Sequence, residues 1–247
     1  MSEHRKISSL RFYLTEAQPC PYLPQRMERK VFTPLRGGKA AEVNDRLSVN
    51  GFRRSQNVAY RPQCPGCNAC IPTRVAAQEF EPSRSDRRTL RRNAGLRRVL
   101  RPALATEEQY QLFRRYLGSR HAGGAMDEMD ALDFASMIED STVRTQMIEY
   151  HGLDEDGETV LVAACLTDMM ADGLSLVYSF FDPARARDSL GNFVILDHID
   201  LVRALGLSYV YLGYWIEGSR KMAYKARFAP AELLVGDRWQ RLPPRRS

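Results

Sequence analysis

Long apolar segments are missing from this chain of 247 residues. No run of hydrophobic residues approaches the roughly 20 that a membrane-spanning helix requires. Residues 1–6 lack the following apolar region that is typical of a signal peptide. From these absences we expect a cytoplasmic globular protein without a membrane partner, and its 44% of hydrophobic residues can form an ordinary buried core.

Cysteine and histidine are also scarce, with five and four residues respectively. An odd number of cysteines in a chain without an export signal argues against a disulfide framework. The sequence contains neither a Gly-x-Ser-x-Gly elbow nor the Cys/His pairing of a nucleophilic hydrolase. We therefore expect no covalent acyl-enzyme intermediate.

The formal net charge of +6 conceals an uneven distribution along the chain. Residues 1–101 carry a net charge of +13, residues 102–219 carry −13 and residues 220–247 carry +6. A strongly basic N-terminal region beside an acidic middle region suggests that the basic region has a polyanionic partner.

Three of the five cysteines, Cys64, Cys67 and Cys70, follow the spacing C-x2-C-x2-C. Thiols at this spacing can converge on one zinc ion or one iron–sulfur cluster, which needs a fourth ligand. Cys20 is the candidate fourth ligand, because Cys165 lies in an apolar run that predicts a buried strand. The alternative is that the cysteines occupy a tight loop and bind nothing.

The order of predicted elements indicates an α+β protein in two parts. Residues 1–101 form a basic, cysteine-containing N-terminal domain, which begins with two short strands and a short helix. Residues 102–247 contain two helices, an antiparallel meander, a helix over residues 190–205 that Ser189 could cap, and another strand. This is the element order of an acyltransferase-like (GNAT-like) domain, with a mainly antiparallel sheet flanked by helices.

Eight arginines between residues 84 and 101 are opposed by one acid, Asp86. Like charges at helical spacing repel one another unless a polyanion neutralises them. The run therefore predicts a contact with nucleic-acid phosphates, and without aromatic residues it would not read base sequence. The alternative is a solvated basic helix. The arginines at helical spacing are Arg84, Arg87, Arg88, Arg91 and Arg92.

Four separated motifs follow one another in this chain. They are Pro-Cys-Pro-Tyr-Leu-Pro (residues 19–24), Leu-Ser-Val-Asn-Gly-Phe-Arg-Arg-Ser (47–55), Tyr-Arg-Pro-Gln-Cys-Pro-Gly-Cys-Asn-Ala-Cys-Ile-Pro (60–72) and Tyr-Trp-Ile-Glu-Gly-Ser-Arg-Lys-Met-Ala-Tyr-Lys-Ala-Arg-Phe (214–228). In sequence and order they resemble the bacterial aspartate/glutamate leucyltransferases, relatives of the arginyl-tRNA–protein transferases. The resemblance covers residues 11–239, and the chain departs from the commonest sequence of these motifs in the family at Pro21 and Glu217.

The resemblance implies transfer of leucine from leucyl-tRNA to the α-amine of proteins that begin with Asp or Glu, which marks those proteins for degradation. It implies an acyltransferase-like fold, aminoacyl-tRNA as the donor substrate and no cofactor required for the transfer. It also favours an iron–sulfur cluster over zinc at the cysteines. The alternatives are transfer of arginine, transfer from an acyl-CoA, and an RNA-binding protein without enzymatic activity.

Two clusters are candidates for the transfer site under this hypothesis. Arg185 and Arg187 precede the helix over residues 190–205, where acetyltransferase-like folds bind the donor's phosphates. They are predicted to contact tRNA, and the alternative is a helix cap with solvated arginines.

The second cluster contains Tyr214, Lys221 and Tyr224, which could contact the terminal adenosine, the ester or the acidic acceptor. For Tyr214 the alternative is packing in the core. Asp182, at a predicted strand end, is the candidate general base.

Overall fold

The computed structural model describes residues 10–120, 128–219 and 221–242. Most of its helices coincide with segments in which apolar residues recur every three or four positions. No helix in the described ranges is long and apolar enough to cross a bilayer. The helices are α1 (Ala40–Val49), α2 (Arg84–Arg92), α3 (Glu107–Arg120), α4 (Ala131–Glu139) and α5 (Leu190–Ala204), with 3₁₀ helices at Ala77–Glu79, Pro183–Asp188 and Ala223–Arg227.

The strands of the described residues form three sheets. They are β1 (Tyr13–Leu14), β2 (Gln18–Pro19), β3 (Met27–Glu28), β4 (Lys30–Pro34), β5 (Arg53–Ser55), β6 (Val58–Pro62), β7 (Ile71–Ala76), β8 (Arg97–Pro102), β9 (Thr145–Leu153), β10 (Thr159–Met169), β11 (Gly173–Phe181), β12 (Tyr209–Trp215), β13 (Ala231–Val235) and β14 (Arg238–Arg241).

The largest sheet has eight strands in the order β14-β13-β7-β12-β11-β10-β9-β8. Its neighbouring strands are antiparallel, except that β11 and β12 run parallel at its centre. Parallel neighbours need a crossover connection, and α5 supplies it. The meander β8 to β11 is therefore joined to the other four strands through one parallel pair.

Two hydrophobic clusters cover the two faces of this sheet. On one face, α5 buries Phe193 and Val194 against β7 and β9 to β12. On the other face, α3 and α4 bring the rings of Phe113 and Phe134 to 4.9 Å between centroids. Because both faces are covered, β10 is buried along nearly its whole length, as its continuous apolar sequence predicts.

A smaller sheet with the order β1-β4-β6-β5 carries α1 on one face. Leu35, Ala40, Leu47 and Ala59 form the core between them. Strands β2 and β3 pair separately as a short hairpin. These elements lie within residues 13–62 of the basic N-terminal region.

The predicted α+β class is confirmed, with a mainly antiparallel sheet flanked by helices. The predicted order of meander, helix and further strand is also found, as expected for an acyltransferase-like fold. The predicted boundary at residue 101 falls inside β8, and strands from both sides of it share the eight-stranded sheet. The division into domains of residues 1–101 and 102–247 stays a prediction.

Two local expectations were wrong. Ser189 precedes α5 with a left-handed φ of 54°, and its side chain makes no capping hydrogen bond. Its backbone carbonyl accepts from the N–H groups of Asn192 and Phe193 instead. The second half of the arginine run is not helical but forms the edge strand β8, whose residues 97–102 pair with β9.

A buried ion pair joins the small sheet to the large one. Arg54 on β5 donates from Nε and Nη2 to the two carboxylate oxygens of Asp168 on β10, each at 2.7 Å. Thr145 donates to the same carboxylate at 2.9 Å. The two charged side chains are 1% and 2% exposed, so each depends on the other for its solvation.

We predict that Asp168→Asn lowers the free energy of unfolding by about 3–5 kcal/mol, because it leaves the Arg54 charge buried and uncompensated. Urea unfolding at constant m-value measures the loss. The double variant Arg54→Met, Asp168→Leu should recover much of it, since no buried charge remains.

The matched control is Arg144→Met, which breaks the ion pair between Arg144 and Asp45. The side chain of Arg144 is 58% exposed. The effect of this variant should lie between about 0 and 1 kcal/mol. Equal small losses in Asp168→Asn and Arg144→Met would contradict the prediction.

Candidate functional site

Strands β11 and β12 are paired over only three residues each, 173–175 against 209–211. Beyond them the two strands continue without further pairing to each other among the described residues. Strand β12 bulges next to Gly213, whose φ is +83°, and continues its pairing with β7. The separation leaves a strand gap between residues 176–181 of β11 and residues 212–215 of β12.

Aromatic side chains lie beside the strand gap. The ring of Tyr116 on α3 lies 4.9 Å from that of Phe181 on β11. Burial raises the pKa of Tyr178, with Tyr116 as a second cause, and its hydroxyl has no partner among the described residues. Tyr224 exposes 43% of its surface, yet burial around its hydroxyl raises its pKa to about 12. Tyr178 and Tyr224 are therefore protonated at neutral pH and can donate hydrogen bonds.

Lys225 follows Tyr224 in the same 3₁₀ helix and is buried, and its Nζ donates to the carbonyl of Tyr214 at 2.9 Å. Burial, followed by the charge of Arg53, lowers the pKa of Lys225 to about 7. A large fraction of this side chain is therefore an uncharged amine at neutral pH, which can accept a proton.

The predicted catalytic residues of the second cluster differ in their surroundings. Tyr214 is buried in β12, and its hydroxyl donates to the carbonyls of Gly51 at 3.1 Å and Tyr60 at 3.2 Å. This matches the packing alternative. Lys221 is exposed. The catalytic roles assigned to Tyr214, Lys221 and Tyr224 stay predictions.

Asp182 caps the 3₁₀ helix Pro183–Asp188, where its Oδ1 accepts from the N–H of Ala184 at 3.0 Å. This hydrogen bond fixes the orientation of the carboxylate and occupies one of its two oxygens. The predicted role of Asp182 as general base stays a prediction.

Helix α2 carries five of the predicted tRNA contacts, and all five are exposed. Ser83 and Asp86 form a capping box at its start, with the N–H of Ser83 donating to Asp86 at 3.0 Å. Asp86 also accepts from Arg227 Nη2 at 3.0 Å. Asp86, the one acid of the run, is thus buried and hydrogen-bonded to Ser83 and Arg227. It therefore does not neutralise the arginines of the helix.

The end of α2 lies against the 3₁₀ helix that holds Arg185 and Arg187. Arg92 donates to the carbonyl of Arg187, and Asn93 donates to that of Asp188 at 2.8 Å. Arg185 is half-buried and donates to a backbone carbonyl of β9. The structure therefore unites the two predicted arginine groups in one basic surface, which consists of Arg84, Arg87, Arg88, Arg91, Arg92 and Arg187.

The four predicted metal ligands line one cavity of about 440 Å³. Cys64 and Cys67 form a tight turn, in which the N–H of Cys67 donates to the carbonyl of Cys64 at 3.3 Å. The hairpin of β2 and β3 brings Cys20 to the same place, and Cys70 leads directly into β7. All four thiols are free and half-buried.

The donor set fits a thiophilic metal by its chemistry. Burial and then the neighbouring thiols Cys20, Cys64 and Cys67 raise the pKa of Cys70 to about 12. A bound cation would reverse this mutual repulsion and favour the thiolates. In the described ranges, no three Cys, His, Asp or Glu side chains already stand in a metal-binding arrangement.

Sequence reasoning missed Arg53, Tyr116 and Tyr178 as neighbours of the site. Adjacent residues of a strand point to opposite faces, so the pair Arg53–Arg54 on β5 could have signalled two different partners. The partner of Arg54 is Asp168, and Arg53 reaches β11. No local pattern marks Tyr116 or Tyr178, because their approach depends on how α3 packs on the sheet.

Comparison with known families matches two parts of the chain. Residues 18–88 match the model described as the N terminus of arginine-tRNA-protein transferase, and residues 108–235 match its C terminus. Arg53 lies in the first match and strands β11 and β12 lie in the second. The strand gap is therefore built from both parts.

Several curated proteins are similar over nearly the full chain. Proteins named aspartate/glutamate leucyltransferase are 57% identical in Paracoccus denitrificans (93% of this chain, 84% of that protein), 55% in Nitrobacter hamburgensis (98% and 95%) and 54% in Rhizobium etli (96% and 94%). Among solved structures, L-PGS from Bacillus licheniformis is 16% identical with a TM-score of 0.41, over 60% of this chain and 46% of that chain, which is too weak to carry an argument.

Proposed function

The chain belongs to the arginine-tRNA-protein transferase family, and we propose that it transfers leucine from leucyl-tRNA to the α-amine of proteins that begin with Asp or Glu. Leucine is proposed as the transferred residue because the chain is highly identical to proteins named leucyltransferases over nearly its whole length. Proteins so modified would then be degraded according to their N-terminal residue.

The reaction needs no covalent enzyme intermediate. The acceptor nitrogen bonds to the ester carbonyl carbon, the tetrahedral intermediate collapses, and the bond to the ribose oxygen of tRNA breaks. The nitrogen loses a proton and the ribose oxygen gains one. The protein must hold ester and amine together, accept the proton and donate hydrogen bonds to the oxyanion.

The groups beside the strand gap suit these needs. The uncharged amine of Lys225 can accept the proton, and the hydroxyls of Tyr178 and Tyr224 can donate hydrogen bonds. Asp182 is the second candidate for the base, at the end of β11. Backbone groups of β11 that do not pair with β12 supply further donors and acceptors.

The charges beside the gap favour leucine as donor and an acidic acceptor. The positive charge of Arg53 contributes to the lowered pKa of Lys225 and opposes the rise in the pKa of Tyr224, so both residues lie within its influence. A second cation, such as an arginyl side chain, would be repelled there, whereas a carboxylate would be attracted. The aromatic rings offer apolar surface to a leucyl side chain.

We predict that the protein transfers labelled leucine from leucyl-tRNA to a peptide with N-terminal Asp or Glu. Transfer to the same peptide with N-terminal Asn or Gln, which differs only in charge, should fall by a factor of about 10 or more, as expected for loss of one charge-assisted contact. Scintillation counting of the peptide measures both rates.

Parallel reactions with arginyl-tRNA and with acetyl-CoA separate the alternatives. Transfer of arginine in preference to leucine would reverse the donor assignment. Transfer from acetyl-CoA alone would identify an N-acetyltransferase, and tRNA binding without any transfer would identify an RNA-binding protein.

The basic surface is proposed to bind the phosphates of tRNA. Its five α2 arginines are exposed at helical spacing, while the acid of their run is occupied by the helix cap and Arg227. This arrangement maintains a positive charge that a polyanion can neutralise. The nucleotide bases are not read there, since the helix presents no aromatic side chain.

We predict that replacing Arg87, Arg88, Arg91 and Arg92 with Gln weakens tRNA binding and lowers the slope of log K against log salt by roughly one unit per lost phosphate contact at most. Filter binding over a salt series measures the slope. The control variant replaces four exposed arginines elsewhere, Arg36, Arg46, Arg144 and Arg238, with the same change in net charge. Equal slopes in both variants would show that α2 is merely solvated.

The four cysteines are proposed to hold a metal centre, either tetrahedral zinc or a [4Fe–4S] cluster, and the family resemblance favours iron. Four thiols around one cavity support this proposal. The centre would fix the hairpin of β2 and β3 against the start of β7.

We predict that anaerobically purified protein contains iron with broad visible absorbance, or zinc without it. Cys67→Ser should lose that metal and melt at a lower temperature, because a structural metal contributes folding free energy. Cys165→Ser, which alters a buried thiol outside the cavity, serves as the control. Absence of both metals, together with unchanged melting and activity in Cys67→Ser, would mean that the cysteines only pack.

A further inference from the structure

Arg53 occupies the point at which β11 and β12 separate. Its Nη2 donates to the carbonyl oxygens of Leu176 at 2.6 Å and Val177 at 3.2 Å. These are the first two residues of β11 beyond its pairing with β12. Val177 is the extra residue of a β-bulge in β11, and the guanidinium therefore takes two successive backbone acceptors where β11 departs from regular pairing.

The opposite side of the guanidinium lies against β12. A Cβ at position 213 would lie 2.9 Å from Cζ and 3.0 Å from Nε of Arg53. A side chain at this position would therefore push the guanidinium away from β12, and the φ of Gly213 already lies in the left-handed region. Gly213 thus suits the backbone conformation and leaves the space that Arg53 occupies.

From these contacts we propose that Arg53 is a positioning residue, a wedge that is inserted from β5 between β11 and β12 and keeps the strand gap open. Neither flanking strand supplies this group. It comes from the small sheet, 123 residues before the carbonyls that it contacts.

The wedge is held by its neighbour in sequence. Arg54 points to the opposite face of β5 and forms the buried ion pair with Asp168 on β10. Asp168 pairs across β10 and β11 with Ser175, the last residue of β11 that pairs with β12. Two successive arginines therefore fix β5 to the part of the sheet where the strands diverge.

The proposal has a consequence for the backbone. Without Arg53, the carbonyls of Leu176 and Val177 would lose their donor, while that of Tyr214 would keep its hydrogen bond from Lys225. Hydrogen bonding across the gap would then become the way to satisfy the freed edge groups of β11. The wedge thus preserves unpaired peptide groups where the ester is proposed to bind. Only that last role rests on the proposed function.

The test compares Arg53→Met and Arg53→Lys with Arg203→Met in the full chain. Lysine retains the charge but cannot supply the planar fork. Arg203 also donates to a backbone carbonyl, that of Phe80, from the last turn of α5 and outside the gap. In both Arg53 variants kcat for leucyl transfer should fall about 100-fold, as expected for a small misplacement of reacting groups. The Kd for tRNA should stay within about threefold, since the basic surface is intact.

Hydrogen exchange separates the wedge from general destabilisation. In Arg53→Met, the amides of residues 176–180 and 212–214 should exchange more slowly than in the unaltered protein, because the strands close. Faster exchange there, or unchanged exchange with unchanged kcat, would overturn the proposal. This readout still applies if the unaltered protein transfers no leucine, in which case only the proposed function fails.

Gly213→Ala provides a second route to the same question. The added Cβ should displace Arg53 and lower kcat. Combined with Arg53→Met, it should lower kcat by less than the two single effects together, because both changes remove one contact and only the strain of alanine at a φ of +83° remains. Fully additive losses would show that Gly213 and Arg53 act separately and would contradict the wedge. The Arg203→Met variant should retain kcat and the exchange pattern of the unaltered protein.

Discussion

The buried ion pair between Arg54 and Asp168 is the constraint on which the arrangement of the two sheets depends. With both charges removed from water, the cost of separating them is large, so β5 is fixed against β10. The position of β5 in turn sets where Arg53 meets β11 and β12. A stabilising contact and a functional geometry thus originate in two adjacent residues.

The site draws on segments that are distant in sequence. Cys70 leads into β7, which pairs with β12. Burial and then the charge of Arg53 lower the pKa of Lys225, and Cys70 raises it. The cysteine cavity and the strand gap are therefore neighbours in space, although the sequence suggested separate domains for them.

Local patterns in the sequence were sufficient for most elements. Helices α3 and α5 follow from apolar periodicity, and β9 to β11 follow from apolar runs separated by turns. Strands β13 and β14 were not predicted, because β13 is defined by pairing with β7, about 160 residues earlier, and β14 by pairing with β13. The spacing of Cys64, Cys67 and Cys70 indicated that they could converge, and with Cys20 they line one cavity, while the metal stays a prediction. The role of Arg53 was not predicted, since it arises from contacts 123 residues away.

The short pairing of β11 with β12 also gives the eight-stranded sheet a mechanical seam. On one side stand β8 to β11, and on the other β12, β7, β13 and β14, each a continuous antiparallel ladder of four strands. Within the sheet itself, three paired residues per strand and the guanidinium of Arg53 join the halves, and α5 packs across both of them. Because no ladder among the described residues crosses from 176–181 to 212–215, a change in the width of the gap alters the packing under α5 and breaks neither ladder.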